Sequence, residues 1–136
     1  MGRLIYLVDT NVWLEELLEQ RNAPEVRNLL ANTDPRFFAL TEFSFYSIGI
    51  ILEQHGQMEA FEDFLSDLVI DSGVAKIRLD TIDVKEVLHI RKKFKLDFDD
   101  AYQYVAAKKH GLTLISFDSD FDRTDLKRKT PAQILK

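Results

Sequence analysis

Short, almost wholly apolar runs are the strongest constraint on how this chain folds. Leu4-Ile5-Tyr6-Leu7-Val8 is one, Arg36-Phe37-Phe38-Ala39-Leu40 contains a second, and Leu112-Thr113-Leu114-Ile115-Ser116-Phe117 is a third. Such runs suit strands buried on both faces, as in a parallel sheet. Val74 to Leu79 is also strand-like. Helical spacing fills the intervals between them. A helix is expected from about Asp9-Thr10-Asn11 to Gln20, and a second from Pro24 with Val26, Leu29 and Leu30 on one face. Thr41 is placed to cap a third, in which Phe45, Ile48 and Leu52 keep helical spacing up to Gly56. Met58, Phe61, Phe64, Leu65 and Leu68 mark a fourth, ending near Gly73. Val84, Val87, Leu88 and Arg91 mark a fifth, and Asp99-Asp100 opens a sixth that Gly111 ends. Strand–helix alternation of this kind predicts an α/β fold, a three-layer α/β/α sandwich with a central parallel sheet. Without repeats or Pro/Gly/Ser linkers, residues 1–136 are expected to form one domain.

Composition narrows the chemistry. The chain has no cysteine and three scattered histidines, His55, His89 and His110. Thiol nucleophiles, thiolate zinc sites and paired-histidine metal sites are thereby excluded. Acids outnumber bases, 23 to 18, for a net charge of −5. Leu4–Val8 is too short for the core of a signal peptide, and no stretch approaches the ~18 apolar residues of a membrane span. A soluble, cytoplasmic protein with no membrane partner is expected.

The position of the acids is more telling. Asp9 ends the first strand, Glu42 follows the second, Asp118 and Asp120 follow the last, and Asp100 opens a helix. Sites in open parallel sheets form at the carboxyl ends of the strands. Each acid taken alone has an ordinary explanation: Asp9 as a helix cap, Glu42 as a first-turn acid, Asp97, Asp99 and Asp100 as an exposed turn plus cap, and Asp118 to Asp122 as a solvated loop. Together they predict a cluster. Two like charges ~4 Å apart repel by about 4 kcal/mol at an effective dielectric of ~20, so such a cluster needs protons or a cation. Oxygen ligands without Cys or His select Mg²⁺ or Mn²⁺, and the chemistry they suit is metal-assisted attack of water on a phosphodiester. EF-hand, P-loop, dinucleotide-binding and serine-hydrolase motifs are absent from the sequence.

The residues resemble a PIN domain over nearly the whole chain. Leu7-Val8-Asp9-Thr10-Asn11-Val12 is similar to that family's opening. Leu40-Thr41-Glu42-Phe43 fits its second acid. Asp100-Ala101, followed by Val105-Ala106-Ala107 and Gly111, fits its third, and Ser116-Phe117-Asp118-Ser119-Asp120-Phe121 fits its closing element. The resemblance implies a metal-dependent endoribonuclease that prefers single-stranded RNA, with Asp9, Glu42, Asp100 and Asp118 as an acidic quartet. It makes Asp120 a supporting acid or second-metal ligand. Thr10, Asn11 and Ser116 would hold the carboxylates or ordered waters. Asp99 competes with Asp100 for the third position, which the Asp–Ala pairing gives to Asp100.

The resemblance also implies either a toxin with a cognate antitoxin or a stand-alone RNA processor, and a homodimer. Aromatic faces around Phe45, Phe61 and Phe64 are expected to exceed what one core buries. Arg123, Lys127, Arg128 and Lys129 follow the site loop and are placed to hold RNA phosphates. Arg91, Lys92, Lys93 and Lys95 read first as a solvated helix face, and Trp13 and Tyr102 as packing rather than stacking platforms. The alternatives are a catalytically silent RNA- or protein-binding module on the same fold, or another Mg²⁺ phosphotransfer domain of the Toprim kind.

Overall fold

The computed structural model describes residues 3–135. Its strands are β1 (Tyr6–Val8), β2 (Phe38–Thr41), β3 (Ala75–Ile77) and β4 (Thr113–Ile115). They form one parallel sheet in the order β3-β2-β1-β4. The helices are α1 (Thr10–Leu17), α2 (Ala23–Ala31), α3 (Glu42–Gln54), α4 (Met58–Asp63), α5 (Asp83–Phe94), α6 (Phe98–His110) and α7 (Pro131–Ile134).

The two-residue period of the strands divides the core. Leu7, Ala39 and Leu114 pack on one side of the sheet with Val87 and Ile90 of α5 and Ala101 and Val105 of α6. Val8, Phe38, Leu40 and Ile115 pack on the other with Val12 and Trp13 of α1, Val26 and Leu29 of α2, and Phe45, Ile48 and Leu52 of α3. Leu7, Phe38, Ala39 and Leu40 are fully buried, which is why the central strands read as unbroken apolar runs. The three expected layers are present.

Phe45 and Phe64 lie in the second core, and Phe61 packs against it. They are not surplus apolar surface, as the sequence had suggested. The exposed apolar side chains in this region are Tyr46, Ile50 and Met58. A further departure follows α4. The expected single helix to Gly73 widens into a π-helix over Phe64–Asp71, closed by a five-residue bond from the Ser72 N–H to the Asp67 carbonyl (3.1 Å). Phe64, Leu65, Leu68 and Val69 all reach the core from this wider turn.

After β1 and β2 the loop between strand and helix is almost eliminated. Asp9 is both the residue after β1 and the N-cap of α1. Thr41 ends β2 and caps α3, accepting a hydrogen bond from the Ser44 N–H (3.0 Å). α6 starts one residue before the expected Asp99, with exposed Asp97 at its N-cap and Asp99 and Asp100 in its first turn. Gly111 closes α6 at φ 64°, a left-handed conformation that glycine adopts without penalty.

Candidate metal centre

Central strand β1 and edge strand β4 bring the first and last acids together. β1 and β4 are paired with Val8 opposite Ile115, so the next residues, Asp9 and Ser116, lie side by side. The Ser116 hydroxyl donates to Asp9 Oδ2 (2.7 Å), while the Thr10 N–H (2.8 Å) and the Gln103 amide (3.0 Å) donate to Oδ1. Asp9 is therefore at once the helix cap and a fixed, buried carboxylate. Burial pushes its pKa above the usual range, and these three donors oppose that rise.

Beyond Ser116 the chain turns back on itself. The Asp118 N–H donates to Ser116 Oγ (2.9 Å), and the Asp120 N–H donates to Asp118 Oδ1 (2.8 Å). This turn aims Asp118 and Asp120 at α6. Carboxylate oxygens of Asp100, Asp118 and Asp120 lie within 4.8 Å of one another. Asp100 is pushed up to about 8, first by burial, then by a hydrogen bond with Asp118 and by the charges of Asp118, Asp9 and Asp99. Either a proton on Asp100 or a hard divalent cation relieves the repulsion within the cluster. The donor set, all carboxylate oxygen, fits Mg²⁺ or Mn²⁺.

The remaining expected residues fall in different places. Glu42 stands outside the cluster; its carboxylate is 3.7 Å from Lys76 Nζ on β3, and both side chains are substantially exposed. Asp99 accepts from the Asp100 N–H (3.0 Å) and shares a second acidic group with Asp97 and Asp100. Asp97, expected as part of an exposed turn, is exposed and also lies within reach of Asp100. Asn11 accepts from the Phe117 N–H (3.3 Å) and donates to Ser116 Oγ (3.4 Å), bracing the turn. The Thr10 hydroxyl pairs with Ser44 Oγ (2.6 Å) rather than with a carboxylate.

Two of the four basic residues are committed elsewhere. Arg128 forks onto both Asp122 oxygens (3.0 and 3.1 Å) and donates to the Ser116 carbonyl (3.1 Å). Arg123 donates to Asp120 Oδ1 (3.2 Å) and to the carbonyls of Phe94 (3.1 Å) and Lys95 (2.6 Å). Both brace the site loop. Lys127 and Lys129 are exposed and make no ion pair among the described residues. Trp13 is buried edge-on against Phe64, and the Tyr102 hydroxyl accepts from the Leu79 N–H (2.9 Å), so neither is a free stacking surface.

The sequence reading missed Gln103 and Ser44. Gln103 Nε2 donates to Asp9 and to Ser44 Oγ (2.7 Å), tying α6, α1 and α3 together beneath the acids. The available signal was spacing: Gln103 is a polar residue one turn after Asp100 on an otherwise apolar helix face.

The fold and site define an acid-clustered α/β protein with its carboxylates at the carboxyl edge of a parallel sheet. The PIN domain family model matches residues 6–127, and the chain belongs to that family, a family of nucleases. Among curated proteins, none matches the chain. Solved structures do. A toxin–antitoxin complex from Klebsiella pneumoniae is 22% identical, covering 93% of this chain and 97% of that one, with a TM-score of 0.72. FitAcB from Neisseria gonorrhoeae is 21% identical over 94% of this chain and 99% of that one, at 0.76. Mycobacterium tuberculosis VapC20, a sarcin–ricin-loop-cleaving toxin, is 16% identical over 93% and 99%, at 0.77. At these identities the likeness establishes the fold.

Proposed function

We propose that this chain is a divalent-cation-dependent endoribonuclease that cleaves single-stranded RNA and acts as the toxin of a toxin–antitoxin pair. The observation that carries the reading is the convergence of Asp100, Asp118 and Asp120 beside an Asp9 locked by three donors. Family membership supports it, and the folds of toxins with cognate antitoxins favour the toxin role over a stand-alone processor.

Asp9, Asp100, Asp118 and Asp120 would hold Mg²⁺ or Mn²⁺. Glu42 would join them by a side-chain swing that costs only its exposed pair with Lys76, about 0–1 kcal/mol. When bound, the ion supplies charge neutralisation at the phosphate and a more acidic water. Asp118 or Asp120 would orient the attacking water and take its proton. In-line attack then breaks the P–O3′ bond, leaving a 5′-phosphate and a 3′-hydroxyl. Ser116, Gln103 and the Thr10 N–H keep Asp9 from turning, so the acids are positioned before substrate arrives. Lys127 and Lys129, unlike Arg123 and Arg128, are free to hold backbone phosphates. The exposed Tyr46, Ile50 and Met58 supply the homodimer surface, and the chain works in the cytoplasm. Among the described residues no helix is long and apolar enough to cross a membrane.

A mixed-sequence, end-labelled single-stranded RNA incubated with Mn²⁺, Mg²⁺ or EDTA tests this. Metal-dependent fragments with 5′-phosphate ends are expected. One observation favours a silent binding module instead, namely Glu42 turned away to Lys76. RNA binding without cleavage in either metal would establish that reading.

A further inference from the structure

Beside the acids, between the start of α3 and the start of α6, lies a cavity of about 360 Å³. Ligand pockets run from about 300 to 1,000 Å³, so this one suits a small, flat group. Phe43, Ile51 and Phe98 supply apolar walls, and Phe43 meets Phe98 edge-on at 6.1 Å. Phe98 is 42% exposed, too much for a core aromatic.

The cavity is continuous with the catalytic acids. Gln103 and Thr10 border it, and both also donate to Asp9; Asp99 borders it and adjoins Asp100. The one charged group that lines it, Asp99, is an acceptor. The Thr10 and Ser44 hydroxyls share one hydrogen bond, which uses the hydrogen of one and leaves that of the other free. Gln103 spends both amide hydrogens on Asp9 and Ser44, and its Oε1 is buried without a partner. Asp99 uses Oδ1 on the Asp100 N–H, and its Oδ2 has no partner among the described residues.

We propose that this cavity holds the nucleobase next to the scissile phosphate and that guanine fits it best. The proposal rests on the ribonuclease reading for the source of the base. Splayed single-stranded bases are held by stacking on aromatics and by hydrogen bonds to their Watson–Crick edges. Guanine presents two adjacent N–H groups, N1–H and N2–H, which match a carboxylate. Uracil presents one N–H between two carbonyl oxygens that a carboxylate repels. Adenine and cytosine place one amino group beside an acceptor and fall between.

The four nucleoside 5′-monophosphates, titrated into the full chain with Mg²⁺ and followed by NMR, test the subsite directly. GMP is expected to bind at least about fivefold more tightly than UMP. Ser47→Met, which fills the cavity, and Phe98→Ala, which removes its exposed wall, are each expected to weaken GMP binding at least about fivefold, and Asp99→Asn, which exchanges an acceptor for a donor, is expected to erase the preference over UMP. Should Ser47→Met fail to fold, Phe98→Ala carries the comparison. Equal affinities, no binding, GMP affinity untouched by Phe98→Ala, or a preference untouched by Asp99→Asn would overturn the proposal. In parallel, single-stranded RNAs differing only in the base beside the cut are compared. Cleavage at equal rates for G and U would also overturn it. Selective GMP binding with no RNA cleaved would leave the subsite standing and reject the ribonuclease reading.

Discussion

Raising the pH should destabilise the metal-free protein in a range where carboxylates ordinarily no longer titrate. The folded pKa of Asp100 rises from 3.8 to about 8, so the native state keeps a proton that the unfolded chain has lost. Native stability is then full below the unfolded value and falls as pH rises through the folded one, from about pH 4 to about pH 8. Asp9, also raised, adds in the same direction. A tenfold change in proton affinity is worth about 1.36 kcal/mol, but solvent relaxes the half-open site, which leaves an effect on the order of 2 kcal/mol. For a chain of this size that is roughly 6–10 °C in melting temperature. The acids whose pKa values are lowered, Asp34, Asp83 and Asp125, lose their contribution only at acid pH, outside this window. Thermal melts in EDTA at about pH 5.5 and about pH 8.5 read the effect, and saturating Mn²⁺ at the higher pH should restore the loss. Asp100→Asn should flatten the EDTA profile. A flat profile in the wild type, or an unchanged slope in Asp100→Asn, would refute the reasoning.

Asp9→Asn and Asp100→Asn should each lower cleavage by at least about a hundredfold; in Asp100→Asn, which only removes a charge from the cluster, the metal-free fold should melt no lower, with activity and melting measured on the same preparations. Gln103→Leu should weaken Mn²⁺ binding about tenfold by freeing Asp9 to turn, read by calorimetry. Arg128→Ala should cost about 1–3 kcal/mol in urea unfolding, since it leaves the Ser116 carbonyl without its donor and Asp122 without its partner. Ile50→Asp, on the exposed face of α3, should give monomers in sedimentation velocity where the wild type gives dimers.

Much of the fold was legible because burial leaves a simple mark on sequence. Leu7, Phe38 and Leu40 are apolar without alternation since both faces of the central strands are covered. The place of Asp9 at the carboxyl edge of the sheet was legible because β1 delivers it there with no loop between. The π-turn at Phe64–Asp71 was not legible, because Phe64/Leu68 and Leu65/Val69 keep four-residue spacing that an ordinary helix also satisfies. Gln103 stayed hidden since its role depends on α6 crossing behind β1, a tertiary fact. Arg123 and Arg128 read as phosphate holders because charge is visible in sequence while the carbonyls of Lys95 and Ser116 that claim them are not. Glu42 holds the expected place on α3, yet its long side chain leaves the choice between Lys76 and a cation to electrostatics at the site.

Loss of the free Mn²⁺ EPR signal on titration with the metal-free protein tests the central claim most directly. A saturable site is expected in the wild type, weakened at least about tenfold, ~1.4 kcal/mol, in Asp100→Asn and in Asp118→Asn. No saturable uptake, or the same affinity in both variants, would contradict the account.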